Sequence, residues 1–142
     1  MKSIRALFKK PALLRTLLRA ILRAGAQGDV RVAVPFVCDP SDVRRVKEWM
    51  FDERQALRKA KIPHAQRTPV GALVEVPAAA IGARDLLEET DFLVIALDSL
   101  VQYVLAADRE NEELRHHFNW VHPIVLRLVR EIVAAGTPPI AR

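Results

Sequence analysis

Three short, almost uninterrupted apolar runs, separated by stretches long enough to be helices, set the architecture open to this 142-residue chain. Val30 to Val37 (V-R-V-A-V-P-F-V), Val70 to Val76 (V-G-A-L-V-E-V) and Asp91 to Leu97 (D-F-L-V-I-A-L) are rich in β-branched residues and have strand length. After Pro11, Leu13, Leu14, Leu17, Leu18, Ile21 and Leu22 recur at helical spacing, and Gly25 and Gly28 stop the run. Asp39 or Ser41 is placed to cap a second helix reaching about Lys61, with Val43, Val46, Met50 and Leu57 near one face and Pro63 beyond it. Pro77 sits at a favourable first-turn position of another helix, and helical segments follow the third run to about Ala135. Strands alternating with helices at this spacing predict βαβ units, a parallel sheet and an α/β fold. Ser3 to Phe8 is a candidate fourth, weaker strand.

Because the runs are nearly continuously apolar, both faces of the sheet are expected to be covered. Their polar residues gather at one end: Glu75 closes the second run, and Asp98 and Ser99 follow the third. In parallel α/β folds the carboxyl ends of the strands are where ligands bind. A glutamate there is costly to bury without a partner. It is either part of a ligand site or salt-bridged to a neighbouring arginine.

With 51% apolar and 27% charged residues the chain is not of disordered composition. Its net charge of +5 is unevenly spread. Residues 1 to 31 hold eight Lys/Arg against the single acid Asp29, whereas the rest carries 14 basic and 16 acidic groups. A nucleic-acid-binding surface across the domain is therefore not indicated. The basic helix after Pro11 reads as an ordinary surface helix, the alternative being one that lies on a membrane or targets an organelle. Arg15, Arg19 and Arg23 interrupt the most hydrophobic stretch, so neither a membrane span nor a signal-peptide core is expected. The single cysteine, Cys38, allows no internal disulfide or zinc ribbon and suits a reducing cytoplasm. It is expected to be a buried or partly buried structural thiol. His116, His117 and His122 lack the one-face spacing of zinc-binding helices, and His64 falls in a loop.

Several segments together carry a more specific signal. R-A-I-L-R-A (19 to 24), V-P-F-V (34 to 37), V-G-A-L-V-E-V-P-A-A-A (70 to 80), D-F-L-V-I-A-L-D-S-L-V-Q-Y-V-L-A-A-D-R (91 to 109) and H-P-I-V-L-R-L (122 to 128) resemble, in order and spacing, enzyme I of the bacterial phosphoenolpyruvate-dependent sugar phosphotransferase system. The wider phosphoenolpyruvate-utilising group, including pyruvate phosphate dikinase and phosphoenolpyruvate synthase, shares the same barrel. Q-Y-V-L-A-A-D-R-E-N looks most like the enzyme I version. The resemblance implies a (β/α)8 TIM-type barrel that binds phosphoenolpyruvate and magnesium and passes a phosphoryl group to a histidine on a separate domain.

Carried over residue by residue, the resemblance makes Glu75 the first magnesium-binding carboxylate and Arg109 a substrate-binding arginine. Lys2 stands at a substrate-binding arginine position, keeping the charge but losing the two-pronged fork, and Arg5 matches the arginine after it. The family's I-G-T-N-D-L reads I-A-L-D-S-L here, so Asp98 replaces a substrate-contacting asparagine and Ser99 replaces the second magnesium aspartate. Asp98 would need a backbone shift to serve the metal, and its charge opposes an anionic substrate. His122 matches a His-Pro at a helix start. No segment corresponds to the histidine domain, the earlier strands or the later strand bearing the family's catalytic cysteine.

A complete barrel of this kind takes about 250 residues. Three to four strands with flanking helices predict a partial barrel over residues 1 to 142, with open sheet edges and an apolar face. The expected function is that of a phosphotransferase fragment binding phosphoenolpyruvate and magnesium, degenerate and inactive alone. The alternative is a non-catalytic interaction protein that pairs with itself, or with a full-length relative that completes the barrel.

Overall fold

The computed structural model describes residues 4–136. Three strands, β1 (Val32–Val34), β2 (Val70–Val74) and β3 (Phe92–Ile95), form one parallel sheet in the order β1-β2-β3. Flanking it are α1 (Ile4–Phe8), α2 (Pro11–Ala24), α3 (Pro40–Lys59), α4 (Pro77–Ile81), α5 (Ala83–Glu89), α6 (Leu97–Leu105) and α7 (Pro123–Gly136), with a 3-10 turn at Arg115–His117. The chain thus has the parallel α/β architecture its alternating pattern predicts.

Each strand is shorter than its apolar run, for a local reason. Pro35 has no N–H to extend the ladder, so β1 stops at Val34. Val76 leaves β2 in extended backbone to precede Pro77, the first residue of α4. Leu97 already belongs to α6. The candidate fourth strand is a helix instead. Ser3 lies outside the described residues, and Ile4 to Phe8 form α1, in keeping with the helix preference of Arg5, Ala6 and Leu7.

The expected coverage of both sheet faces is only half realised. The register places Val34, Ala72 and Val74 on one face, and all three are buried in the main core with Leu22, Val46 and Leu86. The opposite face carries Gly71, Leu73, Phe92 and Val94. There Val94 is 41% exposed. Gly71 is buried beneath the Phe92 ring: a Cβ added to it would lie 2.4 Å from a ring carbon.

The basic helix α2 is docked. Leu14, Leu18 and Leu22 are buried, while Arg15 and Arg19 both reach Glu53 of α3, at 3.0 and 2.9 Å. These arginines are therefore tied into the helical layer. No helix among the described residues is long and apolar enough to cross a membrane. Asp39 caps α3 by accepting the Ser41 N–H at 2.8 Å. The helix ends before Lys61, which takes a left-handed backbone (φ 55°), while Lys61 and Ile62 donate to the carbonyls of Arg58 and Leu57. That is a Schellman stop, so the termination is complete before Pro63.

Cys38 is exposed, contrary to its expected burial. It sits between the buried Val37 and the cap Asp39, and its backbone N–H donates to Asp42 while its thiol is left outside.

Candidate functional site

Glu75 is the first residue beyond β2, at the carboxyl end of the sheet, and is 7% exposed. Its Oε2 accepts the Phe36 N–H at 2.6 Å, and its Oε1 accepts the Ser99 hydroxyl at 3.5 Å. Phe36 adopts a left-handed backbone (φ 50°) in the turn after β1. Such a conformation is costly for a side chain of this size, and the short bond to a carboxylate compensates part of the cost. Among the described residues no Lys or Arg forms a salt bridge with Glu75. Its buried charge rests on a backbone N–H and a hydroxyl, so the salt-bridge expectation does not hold.

Asp98 and Ser99 lie in the first turn of α6, one helical step apart, and diverge. Ser99 turns towards Glu75, as just described. Asp98 turns outward, where Oδ2 accepts from Arg109 Nη1 at 2.7 Å and Oδ1 accepts from the indole N–H of Trp120 at 2.9 Å. Asp98, Ser99 and Arg109 line a polar cavity of about 110 Å3, together with Gln102, Asp108 and Glu110. Three carboxylates thus face one arginine, which disfavours an anion. Arg5 is also engaged internally, forking onto Asp42 with two 3.1 Å bonds. That hydrogen bonding is the main reason its guanidinium is held above its usual value. Lys2 lies outside the described residues.

The structure therefore brings Glu75 to Ser99, and Asp98 to Arg109, as two neighbouring pairs. Magnesium takes a shell of hard oxygens including one or two carboxylates. Here Ser99 brings no charge and Asp98 turns outward to Arg109 and Trp120, which leaves Glu75 as the one carboxylate at the position. This donor set does not fit magnesium, and among the described residues no group of three His, Cys, Asp or Glu side chains is placed to hold a metal. His122 accepts the Ile124 N–H at the start of α7, at 3.3 Å, and His64 is bonded through Nδ1 to the Ile62 carbonyl. Sequence reasoning missed Phe36 and Trp120. Pro35 inside an apolar run signals the turn, whereas nothing local points Trp120 at a residue 22 positions away.

A parallel β/α array with its polar residues at the carboxyl ends of the strands places the chain among parallel α/β proteins. The chain belongs to the family described as PEP-utilising enzyme, PEP-binding domain, whose model matches residues 1–138. It is 34% identical to the phosphoenolpyruvate-protein phosphotransferase of Listeria monocytogenes over 135 residues, covering 95% of this chain and 24% of that protein. It is 36% identical to the protein of the same name from Buchnera aphidicola and 35% identical to that from Haemophilus influenzae, in each case over 95% of this chain and 23% and 24% of theirs. The chain spans about a quarter of the length of these curated relatives. Among solved structures, a citrate lyase from Burkholderia xenovorans superposes with a TM-score of 0.63 at 25% identity, covering 85% of this chain and 37% of that one. The fold is accordingly a partial (β/α)8 TIM-type barrel of three parallel strands with flanking helices.

Proposed function

We propose that residues 1–142 form a degenerate phosphoenolpyruvate-binding unit. In this reading the unit keeps a weak, metal-independent contact to the substrate through Arg109 and performs no phosphoryl transfer by itself. The observation that supports the reading is the Asp98–Arg109 ion pair, in which an internal carboxylate takes the arginine that the family resemblance assigns to the substrate. Catalysis of phosphoryl transfer depends on neutralising the charge of the transferring group. A pocket with three acids and one arginine works against that.

Calorimetric titration of phosphoenolpyruvate, with and without magnesium, tests this on the wild type, Arg109→Ala and Glu75→Gln. The glutamine keeps an oxygen for the Phe36 N–H while removing the charge. Weak binding that Arg109→Ala abolishes, and that neither magnesium nor Glu75→Gln changes, is expected. Tight binding that requires both magnesium and Glu75 overturns the proposal, and so does a complete absence of heat.

The half-covered sheet face favours a second reading, a unit that pairs with a copy of itself or with a full-length relative to complete the barrel. Val94, Leu97 and Tyr103, exposed by 41%, 37% and 47%, supply the apolar area beside the open edge of β3. Sedimentation that finds a folded monomer, alone and with a full-length relative added, counts against it.

A further inference from the structure

A second cleft, sharing no lining residue with the Arg109 cavity, lies between α1 and the first turns of α3. Its volume is about 520 Å3, and it is lined by Arg5, Phe8, Lys9, Ser41, Asp42 and Arg45. Among its described lining residues three cations face a single acid, and Asp42 already accepts two bonds from Arg5 and a third from the Cys38 N–H. The cleft therefore carries two units of excess positive charge.

Two of its cations are also held in place. Arg5 is fixed by its fork onto Asp42. Arg45 lies over the rings of Phe8 and Trp49, 4.6 and 5.4 Å from their centroids, and those rings pack edge to face at 5.7 Å. Stacking of this kind holds a guanidinium by its face and leaves its N–H edge open. Lys9 adds a mobile ammonium and Ser41 a hydroxyl. A preorganised arginine edge with a second charge and a hydroxyl beside it is the arrangement that recognises a doubly charged oxyanion.

We infer that this cleft binds a phosphate monoester, with Arg45 and Lys9 holding the phosphate and the Phe8 ring facing the organic part. The site is distinct from the one in the proposed function. Its residues belong to α1, the following turn and α3, and none of them lines the cavity at Arg109.

The test is an amide NMR titration of the whole chain at constant ionic strength. Inorganic phosphate is the first probe, followed by glycerol 3-phosphate and a short phosphoserine peptide, which separate a small metabolite from a protein side chain as the source. Saturable shifts at Ser41, Asp42 and Arg45 are expected, stronger at pH 8 than at pH 6 because the dianion is the better ligand. Arg45→Gln and Lys9→Gln each weaken binding by about five- to tenfold, since each removes a charged hydrogen-bond donor. Arg127→Gln, on exposed surface elsewhere, leaves it unchanged. Lys9 is exposed, so Lys9→Gln decides the matter if Arg45→Gln disturbs the fold. The inference is overturned by shifts that do not saturate, by an equal loss in Arg127→Gln, or by shifts confined to Ser99 and Arg109. The last outcome would leave the reading of the Arg109 site intact, so the two can fail separately.

Discussion

Arg109 and Asp98 face each other across 2.7 Å, and the second oxygen of Asp98 is held by Trp120. The arginine that the family resemblance assigns to substrate is thus bonded to a carboxylate of its own chain. Asp98→Asn removes that charge while retaining an oxygen for the indole. The variant is expected to bind phosphoenolpyruvate about tenfold more tightly, the effect of removing one like charge at close range. Calorimetry on the two proteins at matched ionic strength checks it, and unchanged affinity would show that the pair is not what limits binding.

Glu53 joins α2 to α3 by accepting from both Arg15 and Arg19, with only 10% of its side chain exposed. Replacing it with alanine removes the ion pair of Arg19 and one of the two of Arg15, which keeps its 2.9 Å bond to Asp52. The expected loss is about 1–2 kcal/mol, more than an exposed pair contributes and less than a fully buried one. Urea unfolding read by circular dichroism measures it, with the midpoint falling and the slope unchanged.

The Asp39 cap makes stability depend on pH in a definite direction. Hydrogen bonding from Ser41, through its side chain and then its backbone N–H, holds the Asp39 carboxyl below its ordinary value of 3.8. A group depressed in the folded state contributes stability above its unfolded value and loses it as pH falls through the folded one. Wild type is therefore expected to exceed Asp39→Ala in stability at neutral pH, and the gap is expected to close as acid protonates the cap. Thermal melts of both proteins from pH 7 down through that range follow the difference.

Gly71 has no room for a side chain under the ring of Phe92. Gly71→Ala is expected to cost about 1–3 kcal/mol, the usual range for overpacking. Phe92→Leu in the same chain should recover only the part due to the ring, since the Phe92 carbonyl oxygen also lies 2.6 Å from the added Cβ. An alanine variant as stable as the wild type would mean that β2 and β3 separate easily.

The alternation of apolar runs and helices predicts the parallel sheet, and the helical leucines Leu14, Leu18 and Leu22 are buried as the period requires. Strand ends were harder to read, since Pro35 acts through a missing donor while the hydrophobic run continues to Val37. The second sheet face is less buried than the pattern predicts for a related reason: an apolar run shows that a face seeks cover without saying what supplies it. At the site, Glu75, Asp98, Ser99 and Arg109 stand out by position and family pattern. Their partners do not, because Phe36 contributes a backbone N–H and Trp120 arrives from a distant turn.

Glu75 satisfies a strained turn whether or not any ion is present. A carboxylate with such a task meets a structural demand separate from any chemistry at the site. Its presence in the sequence therefore does not by itself report on activity.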